Sequence, residues 1–206
     1  MSPNAPIALA YCTDDQAFAL ELESKLGSVA NFQHFIVDNA NEGPILSEIM
    51  VDFRGRILLL VSDNFLRNPN AMLHANRLIS SVGRRGRETK AILIDGHRFD
   101  EQLGELVQVR TSLSRQSDVM HYINHWQERY LDLRRQKREL SVEIGPQFDA
   151  YLVKIREVSG QVNDFLHYLK DSIPLRMSEF SANAFRQFFI FTEQEDRWPA
   201  FQSRFS

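Results

Sequence analysis

The run Ile57-Leu-Leu-Leu-Val61 narrows the fold more than any other feature of the chain. Consecutive large apolar side chains leave neither face of a strand polar. Such a strand needs cover on both sides, which is the situation in the middle of a parallel sheet. The surrounding sequence repeats the theme: Ile7 to Tyr11, Phe32 to Val37 and Ala91 to Ile94 are apolar runs of strand length, separated by amphipathic stretches. After the first run, Phe18, Leu22 and Leu26 recur at helical spacing. Thr13-Asp-Asp-Gln16 has the form of a capping box, and Gly27 can end that helix. Pro44 suits the first turn of the next helix, whose stripe is Ile45, Ile49 and Phe53 and which ends at Gly55. Asn68-Pro69 opens another, with Ala71, Met72, Ala75, Leu78 and Ile79 toward the sheet. Val107 to Val109 reads as a short fifth strand. Alternation at this spacing predicts a doubly wound α/β sheet.

The pattern changes near Ser117. Val119, Ile123, Trp126, Tyr130 and Leu133 form one continuous helical face that extends toward Leu140. After Gly145-Pro146 a second long helix carries Phe148, Leu152, Ile155, Val162, Phe165 and Leu169, and Pro174 breaks it. A shorter helix holds Phe185, Phe188 and Phe189, followed by Trp198 and Phe201. These signals predict an α/β domain over residues 1–141, closed by the first long helix, and a helical extension over 142–206 that can lead into a further domain. The aromatic tail, from Phe185 through Phe191 to Phe205, would be costly to expose, so it reads as a docking surface for a following domain or a second copy.

With 206 residues, 43% of them hydrophobic, the chain can bury a sizeable core. A net charge of -3 gives no reason to expect nucleic acid or an anionic membrane as partner. Cys12 is the only cysteine, which excludes an internal disulfide and fits a reducing compartment. The start, Met1-Ser-Pro-Asn-Ala-Pro6, lacks a basic, then apolar, signal pattern, and no apolar run is long enough to span a bilayer. The expectation is a cytoplasmic protein.

Three segments carry a family likeness. Ala10-Tyr-Cys-Thr-Asp-Asp15 joins an aromatic and small polar residues to an acid at a helix start. Asp38 to Pro44 places acids and a glycine before a helix. Val61-Ser-Asp-Asn-Phe-Leu66 sets Ser and Asn before an aromatic. In order and spacing, residues 7–110 resemble a bacterial-type Toll/interleukin-1 receptor (TIR) domain. The helices after Ser117 resemble the segment that follows TIR-like domains in some bacterial proteins, often ahead of helical repeats. The resemblance implies a flavodoxin-like five-stranded parallel sheet of order 2-1-3-4-5. Its crevice lies beyond the carboxyl ends of the strands, at the switch point. Tyr11, Thr13, Asp14, Asp38, Glu42, Gly43, Pro44, Ser62 and Asn64 would line that edge as ligand-binding or interaction residues.

Catalytic TIR domains cleave NAD at the nicotinamide–ribose bond, and the resemblance implies a carboxylate on the helix after the third strand to stabilise the positive charge that develops. Laying the pattern on Ser62 to His74 puts His74 at that position, and no acid occurs between Asp63 and Glu88. Neutral imidazole is a poor substitute and imidazolium would repel the charge. Asp63 or Glu48 could approach the crevice from another element instead, and His74 reads as a polar residue on an exposed helix face. A receiver domain shares the topology and would use Asp63. It also needs a lysine near the fifth strand, where the chain reads Val107-Gln-Val-Arg110. Cys12 reads as a small buried residue. His121 and His125 share a helix face without completing a zinc site. Arg84 to Arg87 reads as a flexible solvated loop before the fourth strand, and Arg134 to Arg138 as the solvated face of a long helix. The expected function is a signalling or scaffold module that associates with itself, with other TIR-like domains or with a C-terminal helical-repeat domain, and requires no cofactor. The alternative is an NAD-cleaving domain, or one that binds NAD or a related nucleotide.

Overall fold

The computed structural model describes residues 6–37, 53, 55–81, 89–100, 103–139, 145–172 and 175–204. In chain order the strands are β1 (Ile7–Cys12), β2 (Phe32–Val37), β3 (Arg56–Val61), β4 (Thr89–Leu93), β5 (Gly96–Asp100), β6 (Glu105–Val109) and β7 (Leu175–Arg176). The helices are α1 (Gln16–Leu26), α2 (Asp63–Arg67), α3 (Pro69–Ser81), α4 (Gln116–Glu139), α5 (Pro146–Asp171), α6 (Met177–Thr192) and α7 (Trp198–Gln202). A five-stranded sheet runs β2-β1-β3-β4-β7 with every pairing parallel, the flavodoxin-like arrangement.

The fifth position is not filled by Val107–Val109, as the sequence suggested. β6 pairs antiparallel with β5 in a separate two-stranded ribbon. A parallel neighbour needs a crossover of a dozen or more residues, whereas β5 follows β4 almost at once. The short return through Gly104, at φ +68°, leaves only an antiparallel hairpin. The sheet is completed by β7, after two long helices.

Both faces of the sheet are covered, as the apolar run of β3 requires. Ala8, Ala10, Ile57, Leu59, Val61, Ala91 and Leu93 pack in one core with residues of α2, α3, α4 and α5. Leu9, Tyr11, Leu58, Leu60, Ile92 and Ile94 pack in the other with α1, α6 and α7. Each core draws on residues from both sides of position 141. The aromatic tail belongs to the second core. Phe180, Phe185, Phe188, Phe189 and Phe201 are buried, with Phe188 and Phe189 edge-on at 5.6 Å. These rings are therefore not a free docking surface: a sheet face offers them more apolar area than an exposed helix would. Arg56, at the start of β3, donates to the Thr192 carbonyl at 2.8 Å and pairs with Glu193, fastening the end of α6.

Among the described residues, no helix is long and apolar enough to cross a membrane. Within α6 the backbone departs from helical values: Asn183, Ala184 and Phe185 have φ of 51°, 48° and 58°. Left-handed backbone costs an L-residue about 1–2 kcal/mol, and glycine escapes that cost. Ala184→Gly is therefore expected to raise stability by about 0.5–1 kcal/mol after the greater freedom of the unfolded glycine is subtracted. Urea denaturation checks this, and a loss would mean that the alanine methyl packs more than the backbone relaxes.

Candidate functional site at the carboxyl edge of the sheet

The switch point of this sheet lies between β1 and β3, and the chain places a polar group after each strand. β1 runs into a single 3-10 turn, Thr13–Asp15, and β3 into Ser62 and α2. Thr13 does not cap α1, as its capping-box pattern predicted. No side chain caps that turn, and the Thr13 hydroxyl points to the Val37 carbonyl at 3.5 Å. The 3-10 turn takes up the residues that would have formed the box.

Capping falls instead to Ser62 and Asn68. The Ser62 Oγ accepts from the Phe65 amide at 3.0 Å, and Asn68 Oδ1 accepts from the Asn70 and Ala71 amides. With its acceptor side engaged, the Ser62 hydroxyl donates to Asp15 Oδ2 at 2.5 Å. Asp15 is fully buried, and its Oδ1 has no hydrogen-bond partner among the described residues. Burial pushes its carboxyl up to about 6. Hydrogen bonds from Ser62 and Asn64 hold it back, Asp14 adds to the rise and His97 opposes it. The β5–β6 ribbon lies over this group. Asn64 Nδ2 donates to the His97 carbonyl at 3.0 Å, and a side chain at Gly96 would come within 3.3 Å of Ser62 Cβ and Asn64 Nδ2.

A second cluster adjoins the first through Asp63. A cleft of about 350 Å³ opens between α2, the end of β6 and the start of α4, lined by Asp63, Arg67, Arg110, Ser117, His121 and Tyr122 among others. Asp63 is buried, pairs with Arg67 at 3.0 Å and accepts the Tyr122 hydroxyl at 3.0 Å. Burial and the Asp63 carboxylate hold the Tyr122 phenol well above its ordinary range. Arg67 also reaches His125 Nδ1 at 3.1 Å and His121 Nε2 at 2.6 Å. Guanidinium can only donate, so both rings accept there and carry their protons on the other nitrogen. Burial, then Arg67, depress His125 to about 4. At the start of α4, Asp118 accepts from Ser112 Oγ at 2.8 Å and the Arg115 amide at 3.0 Å, and these bonds keep its carboxylate low.

Of the residues expected at the crevice, Thr13, Asp14, Ser62, Asn64 and Asp63 do follow the ends of β1 and β3, with Thr13 and Asp14 exposed. Tyr11 does not face it. It packs in the α1 core, where its hydroxyl meets His34 Nδ1 at 2.8 Å and His34 reaches Glu23 at 3.1 Å. Asp38, Glu42, Gly43, Pro44 and Glu48 lie outside the described residues, as does the Arg84–Arg87 segment. His74 is not on an exposed helix face. It is half-buried on α3, and burial, Arg77 and Lys154 depress it to about 4, leaving neutral imidazole with Nδ1 unpartnered among the described residues. Lys154 belongs to α5, which is fastened to α3 by Lys154 to Asn70 at 2.8 Å and by Arg77 to both Glu157 oxygens at 3.1 and 3.2 Å.

Two residues that sequence reasoning passed over are central here. Asp15 was indistinguishable from Asp14 until the 3-10 turn fixed which one points inward. Arg67 had a legible signal, its spacing of four from Asp63. No protein-family profile, curated protein or solved structure matches the chain.

Proposed function

We propose that the chain is a TIR-like signalling or scaffold module that acts by association, with itself or with other TIR-like domains, and does not cleave NAD. The observation that supports this reading is the setting of His74. The helix that the resemblance assigns to catalysis packs here against α5, and the residue at the carboxylate position is a neutral imidazole beside Arg77 and Lys154. That cationic surrounding opposes the positive charge that NAD cleavage develops. Association has two candidate surfaces: the Asp38–Pro44 segment, and the hairpin end where Leu103 and Leu106 are 65% and 68% exposed. A cytoplasmic location and a C-terminal helical-repeat neighbour go with the same reading.

Light scattering after size exclusion, with chromatography of incubated NAD, tests it. The expected result is self-association that weakens in Gly43 or Pro44 variants, with no nicotinamide released. A monomer at every concentration that turns NAD over would sink the proposal.

One observation favours a second reading, a nucleotide-processing enzyme or NAD-binding domain with a relocated acid. Asp15 is a buried acid at the switch point with a carboxyl near 6, the range a general acid needs. NAD turnover abolished by Asp15→Asn would install this reading in place of the first.

A further inference from the structure

The cleft between α2, β6 and α4 has an imbalance of hydrogen-bonding groups. Its carboxylates are already engaged: Asp63 by Arg67 and the Tyr122 hydroxyl, Asp118 by Ser112 and the Arg115 amide. Its donors are not all engaged. Arg110 and Ser117 line the cleft and have no hydrogen bond or ion pair among the described residues. Arg67 is held in place by Asp63 and by the face of Tyr122, 5.9 Å from the ring centroid. The His121 proton is directed to Nδ1 by the arginine at its Nε2. The start of α4, a helix of 24 residues, adds the positive end of its dipole.

A surplus of donors around an open volume selects an oxyanion. A guanidinium and a hydroxyl that line one cleft are both donors to a phosphate oxygen. The volume, about 350 Å³, is that of a small-ligand site. We propose that this cleft binds the phosphate group of a small ligand, with Arg110 as the principal contact and Ser117, Arg67 and His121 around it. This inference does not rest on the association reading above.

Isothermal titration of the full chain tests the assignment, with inorganic phosphate and ribose 5-phosphate as probes and ribose as the uncharged comparison. Both phosphates are expected to bind and ribose is not. Arg110→Gln should weaken both phosphates at least tenfold, and Ser117→Ala should weaken them less. Arg110 is exposed and has no partner among the described residues, so its replacement is expected to leave the fold intact, which circular dichroism verifies. Tighter binding of ribose 5-phosphate than of phosphate identifies a phosphate ester as the ligand, and equal binding identifies free phosphate. No heat from either phosphate at millimolar concentration would overturn the proposal. So would ribose binding as well as its phosphate, or affinities unchanged in Arg110→Gln.

Discussion

Trp126→Ala is expected to lower the stability of the folded chain by about 3–5 kcal/mol, the range for truncating a large buried aromatic. Trp126 is fully buried, the largest side chain to be so, and its Nε1 donates to the Leu66 carbonyl at 2.9 Å. Removing the indole leaves both a cavity and a buried carbonyl without its donor. Leu66 lies in α2, so the bond ties the long helix α4 to the short segment that carries Asp63 and Arg67. The same core includes Ile155, Val158 and Phe165 of α5, so the loss should be felt by sheet and helices together. Urea denaturation followed by tryptophan-independent far-UV circular dichroism is expected to show one transition, displaced to lower urea with its slope unchanged. Two transitions, only one of them displaced, would mean that α4 and α5 unfold apart from the sheet. With total stabilities usually about 5–15 kcal/mol, a loss of this size leaves little margin at 37 °C.

Much of the architecture was legible because the relevant signals are local. The apolar run of β3 identified a strand buried on both faces, and Asn68-Pro69 marked a helix start that the structure keeps. The stripe through Val119, Ile123 and Trp126 is buried as its spacing predicted. What escaped depended on distant partners. Leu175 and Arg176 are too few to read as a strand, and they become one only because β4 lies alongside. Arg176 then reaches Asp95 at 3.5 Å and the Thr111 carbonyl at 3.0 Å, a link no local pattern encodes. The phenylalanines of α6 were correctly read as needing cover, but the cover was the sheet itself. At the site, residue types at the carboxyl edge were foreseen better than their roles. The burial of Asp15 depends on the ribbon above it, and the neutral state of His74 depends on α5.

Asp15→Asn is expected to raise stability above pH 7 by roughly 2 kcal/mol while changing little near pH 4. The folded carboxyl titrates at about 6, above its ordinary value of 3.8, chiefly because burial penalises the charge. Between those two pH values the folded state keeps a proton that the unfolded state has lost. Its stabilising effect is therefore fully present below about pH 4 and is lost as pH rises through 6. At about 1.4 kcal/mol per unit, the two-unit gap corresponds to about 3 kcal/mol, of which part is offset because asparagine accepts a hydrogen bond from Ser62 less strongly than a carboxylate does. Asparagine carries no charge at any pH and so avoids the penalty of ionising in the core. The histidines act with the opposite sign. His74 and His125, both depressed to about 4, leave the unfolded state to take up protons as pH falls from 6.5, so they weaken the fold on acidification. In the native chain these slopes partly cancel. In Asp15→Asn the histidine slope should stand alone, and the loss of stability from pH 7 to pH 4.5 should steepen. Urea midpoints at the two pH values, for native chain and variant, provide the comparison. Equal destabilisation at both would mean that Asp15 serves as an ionised acceptor for Ser62 rather than as a carboxyl held near neutrality by burial, and the general-acid reading of the switch point would fall with it.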